Sequence, residues 1–323
     1  MERRTILVTG ASGFVGSALC SRLATMDGFA TRATVRGTGR GYVAGVQAVS
    51  VGDLAATTDW ALALAGVDVV VHAAARVHVM KETAVDSLAE FRQVNVEGTL
   101  NLARQAAAAG VRRFIFISSV KVNGEASAPG QRLCADDVPA PQDAYGLSKH
   151  EAEQGLRQLA AATGMEVVVI RPVLVYGPGV KANFQSMMRW VQRGVPLPFG
   201  AVDNRRSLVS LANLVDLIIT CIGHPGAANQ TFMVSDGEDV SLTHLLLALG
   251  HALGRPARLV PVPSGLLRCA GRLLGRRDLI QRLLGSLQVD IEKNRQLLGW
   301  QPPFTLEQGL NMAARSFLDA RRS

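Results

Sequence analysis

A tyrosine and a lysine stand four residues apart in AYGLSKHEAE, at Tyr145 and Lys149. On a helix that spacing puts both side chains on one face. The plain reading is a surface pair on an amphipathic helix. The chemical reading is a phenol whose proton is loosened by a neighbouring ammonium, so that it can take up a proton and return it.

VTGASGFVG, Val8–Gly16, has the spacing G-x-x-G-x-x-G. A β-branched run leads into it and a helical pattern follows. Glycines at the turn let backbone N–H groups approach a pyrophosphate, and the helix N-terminus adds a favourable dipole. Gly10, Ser12, Gly13, Phe14, Val15 and Gly16 are therefore candidate dinucleotide contacts. The second strand ends in TVRG, which places Arg36 where NAD-binding units carry an acid for the ribose. A basic side chain there suits the additional phosphate of NADP, so NADP(H) is favoured over NAD(H). Asp53, with Leu54 beside it in VGDL, can serve the adenine. Ala73, Ala74 and Ala75 end the fourth strand with small residues, where a cofactor would pass closely. His72 has no partner pattern for a metal or a nucleophilic triad and reads as structural; no metal site is expected.

The elements that must position these groups follow from apolar patterning. Strands are expected at Thr5–Thr9, Thr31–Arg36, Val46–Val51, Val67–Ala73, Arg113–Ser118 and Glu166–Arg171. Helices are expected near Gly13–Met26, Thr57–Ala65, Val85–Ala109 and Ala144–Thr163. The strands VDVVVHAAA, RFIFISS and EVVVIRP are continuous apolar runs, as when helices cover both faces. The alternation predicts an α/β fold, a Rossmann doubly wound parallel sheet over residues 1–172. A smaller C-terminal substrate-binding domain spans 173–323, with about 207–236 folding back on the sheet. In it, helices are expected near Phe184–Arg193, Leu211–Cys221, Leu242–Leu253 and Ser264–Leu274, with a strand at Thr231–Val234 and two terminal helices.

Composition narrows the partners. The chain has 323 residues and a net charge of +8, yet aromatics are only 5%. Nucleic-acid binding would want a basic stripe with interleaved aromatics, so an anionic small molecule is the better partner. Cys20, Cys134, Cys221 and Cys269 are widely and irregularly spaced, which fits a reducing cytoplasm rather than a disulfide framework. No stretch is apolar and long enough for a spanning helix. Pro263–Leu284 mixes leucines with arginines; an amphipathic helix pair is the ordinary account and a membrane-surface segment the alternative.

TGxxGxxG, HAAA, NVEGT, ISS and YGLSK occur in that order at compatible distances. On these motifs the chain resembles the extended short-chain dehydrogenase/reductase family, in its nucleotide-sugar epimerase and reductase group. The resemblance implies that Tyr145 and Lys149 are the catalytic pair, with Ser119 of FISSVKVNG binding the reacting sugar oxygen and Ser118 the register alternative. It implies that Lys149 also holds the nicotinamide ribose, that Asn95 supports the active-site helix, and that Pro172 borders the cofactor. Lys121 would lie near enough to touch substrate. For a UDP-sugar, Asn183 and Phe184 would meet the phosphates, Pro198 and Phe199 would lie beside the uracil, and Arg206 would pair the diphosphate. Arg282 is the nearest match to a second family arginine. A homodimer through the helices at Val85–Ala109 and Ala144–Thr163 is also implied.

Three reactions share such a scaffold. A 4,6-dehydratase needs an acid pair after the active-site serine, where this chain has Val120 and Lys121. Arg36 and the segments ARVHVM, SSVKVNGE and GVKANF, similar to bacterial O-antigen enzymes, favour an NADPH-dependent 4-keto reductase of a UDP-4-keto-6-deoxy-N-acetylhexosamine, giving a UDP-N-acetylquinovosamine-type product for surface polysaccharide. The alternative is a UDP-glucose or UDP-N-acetylglucosamine 4-epimerase with tightly bound NAD. A cofactor-sensing binding protein is the non-enzyme alternative; the presence of both Tyr145 and Lys149 speaks against it.

Overall fold

Successive residues of the inner strands point to opposite faces, and each face carries its own apolar core. Ile6, Val8, Ile115, Ile117, Val168 and Ile170 share one core; Leu7, Phe114, Phe116, Val167 and Val169 share another. That is why these strands read as unbroken apolar runs. The structure, a computed structural model, describes residues 3–37, 43–77, 87–275 and 277–321. Arg40, Arg276, the His78–Met80 end of ARVHVM and the expected helix start at Val85 lie outside the described residues.

The main sheet contains β1 (Arg4–Thr9), β2 (Phe29–Val35), β3 (Val46–Ser50), β4 (Val69–His72), β5 (Arg113–Ile117), β6 (Glu166–Pro172) and β9 (Thr231–Val234). Its order is β3-β2-β1-β4-β5-β6-β9, with every pair parallel. The order reverses between β1 and β4, and ligands of such sheets bind in the crevice outside the strand ends at that point. α1 (Phe14–Leu23) and α7 (Leu211–Gly223) cover one face through Leu19, Cys20, Leu23, Leu214 and Leu217. The other face is covered by α2 (Ala61–Leu64), α4 (Thr99–Ala108) and α5 (Ala144–Thr163), through Leu64, Leu102, Ala103, Ala152 and Leu156. The single helix expected up to Ala109 is instead α3 (Ser87–Phe91), a π-helical segment Arg92–Gly98 and then α4.

A second, three-stranded sheet in the order β10-β8-β7 was not anticipated. β7 (Leu174–Tyr176) lies parallel to β8 (Arg206–Ser210), and β10 (Asp239–Val240) runs antiparallel to β8. Strands this short leave too little alternation to be read from sequence. Around it pack α6 (Ala182–Arg193), α8 (Leu242–Ala252), α9 (Ser264–Leu273), α10 (Arg277–Leu284) and α12 (Leu306–Asp319), while α11 (Glu292–Leu298) precedes α12. Their shared core includes Tyr176, Phe184, Met188, Leu245, Leu249, Leu267 and Leu310.

Candidate active site

The glycine loop has the shape its spacing predicts. Gly10 follows β1 with φ of 66°, and a Cβ there would lie 2.6 Å from the Ala74 nitrogen and 2.7 Å from the Ala73 carbonyl carbon. A Cβ on Gly16 would lie 2.3 Å from the Gly10 oxygen. Neither position admits a side chain without moving backbone, so α1 starts tightly against the ends of β1 and β4. No side chain caps α1. Its first N–H groups, at Phe14 and Val15, can therefore bind an anion. Ser12, Gly13 and Phe14 also line a cavity of about 1080 Å³ beside α1 and α7, shared with Pro178, Gly179, Lys181 and Phe304. Ser119, Tyr145 and Lys149 do not line it, so it is distinct from their surroundings.

At the ends of β2 and β3, Arg36 and Asp53 face each other at 3.6 Å, both largely exposed. Leu54 packs on the backbone of Gly98, where a Cβ would lie 2.8 Å from its Cγ. Ala73 and Ala74 bond back to Thr9 through their N–H groups, and Ala75 continues the half-buried run. His72 is fully buried: Nδ1 meets Thr9 Oγ1 at 2.6 Å and Nε2 meets Thr99 Oγ1 at 2.9 Å. Burial, with the charge of Lys149, pushes its pKa down to about 3. Both ring nitrogens are thus occupied by threonine hydroxyls, which fits a structural reading.

α5 is positioned at its N-terminus by Asp143, whose Oδ1 accepts from Gly146 N at 2.7 Å. A Cβ on Gly146 would lie 2.8 Å from the Lys121 carbonyl oxygen, so the glycine of YGLSK lets α5 press onto the turn after Ser119. Lys121 reaches across the same gap to pair with Asp143 and, at 3.1 Å, with Glu125. Its ammonium is thus held by two carboxylates at the edge of the site. Ser118 and Ser119 separate cleanly. Ser118 is buried and donates to Glu153 Oε1 at 2.6 Å. Ser119 is half-buried and caps the 3-10 turn Val120–Val122, accepting from Lys121 N at 3.2 Å. The Ser118 hydroxyl is thus committed to a buried partner, while that of Ser119 is half-exposed.

Tyr145 stands edge-on to Phe91, with ring centroids 5.9 Å apart. Lys149 is buried, donates from Nζ to the Ile117 carbonyl at 2.9 Å and lies 4.4 Å from the Phe116 ring centroid. Burial lowers its pKa to about 7, against the raising effect of Glu153. The protein's own groups, without the positively charged nicotinamide, do not acidify the phenol. Burial, and then the Asp143 carboxylate, push the Tyr145 pKa up from its ordinary value. Desolvation disfavours the phenolate and the Asp143 carboxylate adds to this, while the Lys149 ammonium is directed to a strand carbonyl.

Two supports, Glu153 and Arg171, were missed in the sequence, whereas Asn95 was expected there. Glu153 and Arg171 are both buried and joined by Arg171 Nε at 2.9 Å and Nη2 at 2.5 Å, with Arg157 adding a bond at 3.1 Å. Arg171 Nη1 donates to Asn123 Oδ1 at 2.8 Å, which fastens the turn after Ser119 to β6. Asn95, in the π-helical segment, donates to Ser148 Oγ at 3.1 Å and exchanges bonds with the Arg76 backbone. It acts on α5 through Ser148, next to Lys149. Single-turn π-segments occur often at functional sites. An acid one turn after YxxxK was the readable signal for Glu153; nothing local marked its partner.

The candidate substrate residues divide. Asn183 is exposed in the first turn of α6, after Ala182 with φ of 55°. The Phe184 ring is buried and stacks on Tyr176 at 5.3 Å, so only its backbone can meet a ligand. Pro198 is exposed and Phe199 half-buried. Arg206 donates from Nη1 to the carbonyls of Arg282 and Gly285, at 2.6 and 3.1 Å. Burial lowers its pKa. Arg206 and Arg282 are thus brought together, but through the Arg282 backbone; the Arg282 side chain is exposed. Pro172 is buried at the end of β6, beside Val234.

The family model of the NAD dependent epimerase/dehydratase family matches residues 6–235. The chain belongs to that family. It is 50% identical over 326 residues to a UDP-glucose 4-epimerase of Vibrio cholerae, covering 98% of this chain and 96% of the relative. MoeE5, solved with UDP-glucose and NAD, superposes with a TM-score of 0.77 at 24% identity over 99% of this chain and 100% of that one. The UDP-glucuronic acid 4-epimerase of Bacillus cereus, solved with NAD, gives 0.78 at 20% identity over 98% and 99%. Both share the Rossmann fold of this member of the extended short-chain dehydrogenases/reductases. Among the described residues no helix is long and apolar enough to cross a membrane.

Proposed function

We propose that this family member is a UDP-sugar 4-epimerase, interconverting UDP-glucose or UDP-N-acetylglucosamine with its C4 epimer, with NAD as cofactor. The observation that carries the reading is the 50% identity, over nearly the full length of both chains, to the Vibrio cholerae relative named for that reaction. It supports the epimerase over the 4-keto reductase favoured from sequence. The basis of the reductase preference is also weaker than it looked. Arg36 stands 3.6 Å from the Asp53 carboxylate, which offsets its attraction for an additional phosphate. That favours NAD over NADP.

The residues present fit a dinucleotide: the side-chain-free cradle at Gly10 and Gly16 and the uncapped start of α1 suit its pyrophosphate. Asp53 and Leu54 would border the adenine, and Lys149 would hold the nicotinamide ribose. When bound, the nicotinamide supplies a hydride acceptor and donor, together with a positive charge. Ser119 would orient the C4 hydroxyl. Tyr145 would take its proton and return it after the sugar has turned over. That second positive charge is what the chemistry requires, since the protein's own groups raise the Tyr145 pKa. Asn183, the Phe184 backbone and Arg206 would hold the diphosphate, with Pro198 and Phe199 beside the base. We read residues 1–172, with 207–236, as the dinucleotide body and the rest as the sugar-nucleotide body. The protein would work in the cytoplasm, as a homodimer paired through α4 and α5.

The test is interconversion of UDP-glucose and UDP-galactose, and of their N-acetyl counterparts, by purified protein without added reductant. NAD should be the dinucleotide released on denaturation. Tyr145→Phe should lower turnover about 10²- to 10⁴-fold with the fold intact. Stoichiometric NADPH oxidation by a UDP-4-keto-6-deoxy sugar, without interconversion of intact UDP-sugars, would return the case to the reductase.

A further inference from the structure

The hairpin of α9 and α10 presents an unusual surface. Residues 264–284 carry five arginines, a single acid, Asp278, and no aromatic residue. α9 buries only Leu267 and Gly271, and a Cβ on Gly271 would lie 2.5 Å from Ile280, so α10 covers that face closely. Other positions of α9 and its C-cap turn apolar side chains outward. Leu266 is 62%, Leu273 88% and Leu274 75% exposed. Arg268 and Arg272 stand exposed on the other side of the outward surface of α9, and among the described side chains neither pairs with a carboxylate. Some exposed arginines elsewhere do find acids, as Arg92 does with Glu151.

Outward leucines together with exposed arginines, against a single acid in the hairpin, match an anionic lipid surface. The leucines enter the acyl boundary while the guanidiniums remain among the phosphates. Two other occupants fit worse. A second copy of this chain across a two-fold axis would set arginines against arginines. A nucleic acid would find no aromatic ring to stack on and would leave the leucines in water. We propose that the α9–α10 hairpin docks the protein on anionic phospholipid bilayers. The segment that leads into α9 bonds to the Pro198–Phe199 loop, through Leu197 N to Arg258 O and Gly200 N to Val260 O, at 2.9 Å each. The end of α10 is held by Arg206. Docking would therefore seat the sugar-nucleotide body, not the cofactor crevice, against the membrane.

The test is co-sedimentation of the full-length protein with vesicles of phosphatidylglycerol and phosphatidylcholine, beside vesicles of phosphatidylcholine alone. Binding is expected only to the anionic vesicles, and weakening as salt rises. Arg268→Gln/Arg272→Gln should lower partitioning on the order of thirtyfold. Leu266→Gln/Leu273→Gln should lower it too, and UDP-sugar turnover in solution should stay unchanged in both variants. Equal binding to both vesicle types overturns the proposal. So does wild-type binding by the arginine variant, whose exposed positions leave the fold undisturbed. A change in oligomeric mass in the leucine variant without lipid would mark the strip as a protein contact instead.

Discussion

At the scale of single residues, the site is a balance of charges around one phenol. Tyr145 and Lys149 were legible because both sit within one helical turn. The groups that set their ionisation were not. Lys121 and Asp143 are 22 positions apart and meet only because α5 presses on the turn after Ser119. Asp143 has two tasks, capping α5 and raising the Tyr145 pKa. Asparagine keeps the first and abolishes the second. Asp143→Asn should therefore ease phenolate formation and move the alkaline-rising limb of kcat/KM about one unit to lower pH. A pH–rate profile of the variant beside the wild type measures this, and an unmoved limb would remove Asp143 from the electrostatics.

Among the elements, the long parallel strands were legible because burial on both faces leaves continuous apolar runs. The π-helical segment Arg92–Gly98 was not, since a shift in backbone hydrogen bonding hardly alters apolar spacing. Nor was the link between α5 and β6, because Glu153 and Arg171 lie in different elements and each looks ordinary alone. Their ion pair is wholly buried, and breaking it leaves an uncompensated guanidinium. Glu153→Gln should cost about 3–5 kcal/mol, read as a lower denaturant midpoint. Glu153→Gln with Arg171→Met should recover part of the loss. A Glu153→Gln midpoint equal to wild type would mean that water reaches this pair.

The whole molecule carries a pH dependence that begins at His72. Its pKa is about 6.5 unfolded and about 3 folded, so the unfolded chain binds the additional proton between those values. Stability from this group is complete above pH 6.5 and is lost as pH falls toward 3. Urea midpoints should therefore fall across that window and fall less steeply in His72→Gln. Parallel slopes would assign the acid sensitivity to other groups. The sequence had placed His72 as structural, but its burial between Phe114, Phe116 and two threonine hydroxyls came only with the assembled sheet.

The route of the chain through its two sheets has a mechanical side. From β6 it leaves for β7 and β8, comes back for α7 and β9 next to β6, and departs again for β10. The halves are stitched by several threads rather than tied by one. Scissors applied at residue 172 would free no independent piece: the severed half would lack the strand that borders β6 and the helix that roofs Leu19, Cys20 and Leu23. For the same reason a single nick in a connector would leave both parts in each other's grip.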